Sequence, residues 1–178
     1  MNQTEISKFL SFVLRHQPEA IGLTLDREGW ADIAVLISSA AATGKLFDLA
    51  AVRAVVESND KKRFTISDDG LRIRAAQGHS TATVSLDHAE RTPPELLFHG
   101  TATRFLQSIR AAGLLPGSRH HVHLSADVQT ATMVGERHGK PVVLTVEALQ
   151  MQRQGFKFYL SDNNVWLTKH VPTHFLRA

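Results

Sequence analysis

The chain has 178 residues, 43% of them hydrophobic and 21% charged, a globular composition that excludes disorder, collagen and solenoid arrays and allows one or two cores. Twenty Lys and Arg against 17 Asp and Glu give a formal charge of +3, mild for a nucleic-acid binder and no reason to expect a membrane surface. The distribution is uneven: net −2 over residues 1–90 and +5 over 91–178, the second half also holding 7 of the 10 His. Absence of Cys excludes disulfides, Fe–S clusters, thiolate zinc sites and Cys nucleophiles. No run approaches the ~20 apolar residues of a membrane span, and the start lacks a basic region followed by an apolar core. The expectation is a soluble, cytoplasmic protein.

From Thr4 to Gln17, Ile6, Phe9, Leu10, Val13 and Leu14 recur at helical spacing, and the pattern stops before Pro18. An Asp26–Gly29 turn leads to Trp30, and Asp32 predicts the cap of a second helix, closed by Gly44. Asp48 predicts the cap of a third, with Leu49, Val52, Val55 and Val56 as its buried face. The period then drops to two: Phe64 and Ile66, an Asp68-Asp69-Gly70 turn, and Leu71, Ile73 and Ala75 predict a β-hairpin. Three helices followed by a hairpin is the order of a winged helix. Residues 87–95, with Pro93-Pro94, read as a linker, which divides the chain into 1–91 and 92–178. Beyond it the pattern predicts a strand at Leu96–His99, a helix from Thr103 to Ala112, a strand at Val122–Ser125 and a helix from Asp127 to Gly139. A strand at Val142–Val146 and a pair at Phe158–Leu160 and Val165–Thr168 follow. The second half is mixed α/β with a strand-rich end.

Arg15 and His16 close the first helix, where cations favour the helix dipole, and Lys61-Lys62-Arg63 precedes the hairpin. Taken singly these are a helix cap and a solvated charge run. In a winged helix the first helix packs beside the hairpin, so Arg15, His16 and Arg63 could face a common anion, which guanidinium groups hold through paired hydrogen bonds. His99-Gly100-Thr101 follows an apolar strand, a weak signal alone. Arg119, His120, His121 and His123 crowd one short segment, too polar for core filler. Two ligands compete for it. One is a metal on His121, His123 and Asp127, with His99 or His174, as in a cupin-like metalloenzyme. The other is an anionic, dinucleotide-sized molecule near Arg119 and the helix start at Asp127, without a Gly-x-Gly-x-x-Gly Rossmann route. A non-catalytic winged-helix regulator that senses a nucleotide is a further alternative.

Six motifs run in order along the chain: Ser11–His16, Gly29-Trp30, Asn59–Phe64, Ala76–Ser80, Phe98–Thr101 and Arg119–Ser125. Together they resemble the RNA 2′-phosphotransferases, which include the tRNA 2′-phosphotransferase of tRNA splicing. The resemblance covers nearly the whole chain. It implies an α+β protein: an N-terminal winged-helix lobe for the RNA 2′-phosphate and a C-terminal ADP-ribosyltransferase-like mixed α/β lobe with a strand-rich NAD site. It implies Arg15, His16, Arg63 and Arg119 as the catalytic set and His99, Gly100, Thr101, His123 and Ser125 around NAD. Val165 is placed where ADP-ribosylating relatives carry a catalytic Glu, which speaks against protein ADP-ribosylation. The implied chemistry uses NAD as co-substrate and a 2′-phosphorylated, tRNA-like RNA as partner, with no metal and no membrane. An RNA 2′-phospho-ADP-ribose intermediate leads to ADP-ribose 1″,2″-cyclic phosphate.

Overall fold

Helix α1 (Gln3–Arg15) starts in a capping box, in which Asn2 Oδ1 accepts from the Glu5 N–H and Glu5 accepts from the Asn2 N–H. The structure is a computed structural model and describes residues 1–58, 62–81, 84 and 88–177. Asn59, Asp60 and Lys61 of the basic motif and Asp87 of the expected linker lie outside the described residues. The chain forms two compact units, Met1–Asp87 and His88–Ala178.

In the first unit, β1 (Ala31–Asp32) leads directly into α2 (Ile33–Ala42), and α3 (Leu49–Glu57) follows; Asp32 and Asp48 cap the two helices as the sequence predicts. Strands β2 (Phe64–Ile66) and β3 (Arg72–Ala75) form the hairpin, and β3 is central in an antiparallel β1-β3-β2 sheet. The apolar stripe of α1 packs with Leu36, Val52, Val55 and Ile73 into one core. Two side chains expected inside are outside: Leu49 is 41% and Leu71 62% exposed. Leu49 is the first residue of α3, before its inward stripe begins at Val52. Leu71 precedes β3, and its carbonyl, accepting from the Ile33 N–H at 2.9 Å, ties the hairpin to α2 while the side chain faces water.

The second unit contains two sheets. Strand β5 (Leu97–Ala102) pairs antiparallel with β7 (Pro141–Val146), which pairs with β10 (Leu176–Arg177). The other sheet runs β4-β8-β9-β6, from β4 (Ala89–Glu90), β6 (Val122–Leu124), β8 (Phe158–Leu160) and β9 (Trp166–Thr168). Reciprocal bonds between Phe98 and Ser125, at 2.9 and 2.8 Å, join β5 to the end of β6. Helices α4 (Leu106–Ala112), α5 (Val128–Glu136) and α6 (Ala148–Arg153) complete the unit. Ala89 and Glu90, read from sequence as linker, pair with Leu160 and Tyr159. Strand β5 runs beyond its predicted end at His99, so His99, Gly100 and Thr101 stand opposite Leu144, Val143 and Val142 within the sheet. Among the described residues no helix is long and apolar enough to cross a membrane.

Candidate functional site

Each unit gathers its own share of the predicted residues. In the first, the segment after β3 is pinned to the end of α1: the Ser80 N–H donates to the Arg15 carbonyl at 2.9 Å, and His16 Nδ1 lies 2.9 Å from Ser80 Oγ. His16 also caps α1, its N–H donating to the Phe12 carbonyl. Arg15 Nη2 donates to the Arg63 carbonyl at 3.5 Å, and its guanidinium carbon lies 5.9 Å from the centre of the Phe64 ring. Arg63 and His16 line one groove. The sequence thus folds so that a helix end, the entry to a hairpin and the Ala76–Ser80 motif meet. Guanidinium groups only donate, so the arrangement suits an anion, and Arg can offer phosphate two parallel bonds.

Sequence reasoning gave Ser80 no role. The available signal was a polar motif outside any periodic element. The same segment buries His79, which is 3% exposed, and its Nε2 lies 3.0 Å from where a Cβ on Gly29 would stand. Gly29 has φ +78, so a side chain there would be strained as well as crowded. The Gly29-Trp30 and Ala76–Ser80 motifs are therefore one packing unit beneath the Arg15–His16 corner.

In the second unit His99 Nδ1 lies 3.0 Å from the His123 carbonyl. A carbonyl can only accept, so Nδ1 carries the proton and Nε2 is left as an acceptor. Burial, with the nearby His138 charge, lowers the His99 pKa against the opposing pull of that carbonyl, so the ring is neutral at pH 7. Arg119 Nη1 donates to His123 Nδ1 at 3.0 Å, which makes that nitrogen the acceptor. One residue, His123, thus contacts His99 through its backbone and Arg119 through its ring. Gly100 is placed against α5: a Cβ there would stand 1.6 Å from the Ala131 carbonyl oxygen. Thr101 is buried at 6% exposure, and Ser125 is held by its backbone bridge to Phe98.

The other His residues diverge from the Arg119–His123 pair. His121 precedes β6, with its ring edge-on to Tyr159 at 5.6 Å and to His88 at 6.4 Å. Burial first, then the charges of His88, His120 and Lys169, push His121 down to about 4. His174 stacks on Phe175. Among the described residues no cluster of three or more His, Asp and Glu is arranged to hold a metal. Val165 sits before β9, its N–H donating to Ser161 Oγ at 3.0 Å and its carbonyl accepting from the Ser161 N–H at 3.0 Å.

A mixed α/β protein with an Arg–His corner in one unit and an Arg–His pair in the other is what the geometry defines. The sequence profile of the "RNA 2'-phosphotransferase, Tpt1 / KptA family" matches residues 1–170, and the chain belongs to that family. It is 60% identical over 172 residues to a protein of Pectobacterium carotovorum subsp. carotovorum, covering 97% of this chain and 92% of that one. It is 60% identical over 173 residues to one of Pseudomonas aeruginosa, covering 97% and 95%. Against one of Shigella boydii the figures are 58% over 172 residues, 97% and 94%. Each of these relatives bears the description "Probable RNA 2'-phosphotransferase".

Proposed function

We propose that this protein removes an internal 2′-phosphate from tRNA-like RNA with NAD as co-substrate, giving 2′-OH RNA, nicotinamide and ADP-ribose 1″,2″-cyclic phosphate. The observation that carries the reading is the gathering of Arg15, His16 and Arg63 at the end of α1 in a chain of this family. Three helices followed by a hairpin support a winged-helix lobe for RNA in the first unit, Met1–Asp87. The two antiparallel sheets of the second unit, which β4 at Ala89–Glu90 begins ahead of the expected boundary at 92, support an ADP-ribosyltransferase-like NAD lobe. A cytoplasmic location, expected from the sequence, is part of the proposal.

A phosphate monoester carries about −1.5 to −2 charges at neutral pH, so its oxygen is already a nucleophile and needs no general base. In the first step that oxygen bonds to the anomeric carbon of the nicotinamide-linked ribose and the bond to nicotinamide breaks, leaving RNA 2′-phospho-ADP-ribose. Val165 in the place of a catalytic Glu fits a nucleophile that carries its own charge. In the second step the ribose O2″ attacks phosphorus and the RNA 2′-oxygen leaves with the proton. Arg15 and Arg63 hold the phosphate, His16 orients it, and Arg119 is assigned to the phosphoryl oxygens as charge spreads onto them. His99 Nε2, the acceptor left over from the bond to His123, suits a ribose hydroxyl, with Gly100, Thr101, His123 and Ser125 completing the NAD site. The test is incubation with NAD and a 2′-phosphorylated oligonucleotide: nicotinamide release with loss of the phosphate supports the proposal, and phosphate retained by folded protein overturns it.

A further inference from the structure

The groove that His16 and Arg63 line runs on past them. It encloses about 710 Å³, within the ~300–1,000 Å³ range of ligand pockets, and continues along the outward side of α1 through Phe12, Ser11, Lys8 and Ser7. Lys8 stands eight residues before His16, about 12 Å along the helix axis at 1.5 Å per residue. That length exceeds what one phosphate needs. At about 3.4 Å per stacked nucleotide it corresponds to a short run of strand. Its chemistry is uneven in one direction: Lys8 and Arg63 are cations, Ser7, Ser11 and Ser58 offer hydroxyls, and no described residue lining it carries a carboxylate. Glu5, the acidic residue of the first turn, is bonded to the Asn2 N–H in the capping box and is not part of the lining. Within this polar stripe Phe12 is 41% exposed, although Ile6, Leu10, Val13 and Leu14 of α1 are buried and Phe9 is partly buried against the core.

Donors for a phosphodiester beside an exposed ring for a base are what a single nucleic-acid strand requires. We infer that the α1 groove is a subsite for the nucleotide flanking the 2′-phosphorylated one, with Phe12 under its base and Lys8 and the Ser7 and Ser11 hydroxyls on its phosphodiester. The inference rests on the proposed function, whose 2′-phosphate would occupy the Arg63–His16 end. It also gives the enzyme a way to prefer an internal 2′-phosphate over a free nucleotide.

The experiment compares the intact protein on a nucleoside 2′-phosphate and on an unstructured trinucleotide bearing a central 2′-phosphate, both with NAD. Wild type is expected to show a lower KM for the trinucleotide. Phe12→Ala should raise the trinucleotide KM about 5- to 150-fold, the range for loss of one base–aromatic stack, with a much smaller effect on the nucleoside 2′-phosphate. Phe12→Leu, which keeps an apolar side chain in place, distinguishes stacking from damage to α1 and should recover only part of the loss. Lys8→Ala should reduce the slope of log KM against log salt by about 0.7 for the trinucleotide. Equal KM values for the two substrates in wild type, or equal proportional losses on both in Phe12→Ala, would overturn the subsite while leaving the proposed function standing. Failure of wild type to dephosphorylate either substrate would instead overturn the proposed function.

Discussion

At the scale of single residues, the Arg15–His16–Arg63 corner and the Arg119–His123 pair make different demands on a phosphate. On the proposed function, Arg15→Ala and Arg63→Ala would each remove charge-assisted donors to the phosphate, and each should lower turnover about 10²- to 10³-fold, as loss of one preorganised donor does. Near-normal rates in both would return the corner to a helix cap and a surface charge run. Arg119→Ala should act mainly on the second step. In the proposed mechanism the first step forms cationic character at carbon as nicotinamide leaves, which a guanidinium helps little, whereas the second builds charge on the phosphoryl oxygens. RNA 2′-phospho-ADP-ribose should therefore accumulate as a slower band on a denaturing gel. If only unreacted 2′-phosphorylated RNA remains at saturating NAD, Arg119 acts before or during ADP-ribosyl transfer. The Arg63–His16 groove and the Arg119–His123 pair join residues that the sequence singles out through motif order, since each taken alone reads as a helix cap or a charge run. Ser80 was not legible in this way, because its bond to His16 spans 64 positions and depends on how the chain turns after β3.

At the scale of elements, α1 could be read from its apolar repeat, and α2 and α3 from the caps at Asp32 and Asp48 together with theirs. Strand β5 was misread at its end because Gly100 looks like a loop residue, whereas its missing side chain lets α5 approach the sheet. Gly100 on β5 and Gly135 on α5 each face backbone of the other element: a Cβ on Gly135 would stand 2.6 Å from the Thr101 carbonyl oxygen, as one on Gly100 would crowd Ala131. No one-dimensional period reports a crossing of helix and strand. The backbone at Ala131 cannot yield as a flexible side chain would, so Gly100→Ala should cost at least the ~1–3 kcal/mol of an overpacked core. For a chain of this size that lowers the melting temperature by roughly 2–12 °C. An unchanged midpoint would show that α5 and β5 do not meet at this glycine. Strand β4 escaped notice for a different reason: Ala89 and Glu90 are too short a run for a period, and their partners Leu160 and Tyr159 lie about 70 positions on.

At the scale of the whole molecule, the protons bound by its His residues couple stability to pH. His121 is pushed down to about 4, by burial first and then by the charges of His88, His120 and Lys169. His99 is lowered too, chiefly by burial. In the unfolded chain both rings return toward about 6.5. As pH falls from about 6.5 towards 4 the unfolded chain therefore takes up protons that the folded rings exclude, and stability present above 6.5 is progressively lost. Asp127, whose pKa is lowered mainly by its bonds to Thr130, loses its stabilising contribution only at lower pH, below 3.8 and through its folded value. The first decline on acidification thus belongs to His. The melting temperature should drop between pH 6.5 and 4.5, and His121→Phe, which keeps an aromatic ring against Tyr159, should flatten that drop. Growing positive charge would also destabilise the fold on acidification, but salt screens that repulsion while leaving the part of the proton exclusion that comes from burial of the two rings largely intact. The comparison is therefore made at about 0.5 M salt, where the Debye length falls below the ~8 Å of physiological ionic strength. A wild-type midpoint that stays level across this window in salt would show that His121 and His99 are protonated as readily in the fold as in the unfolded chain.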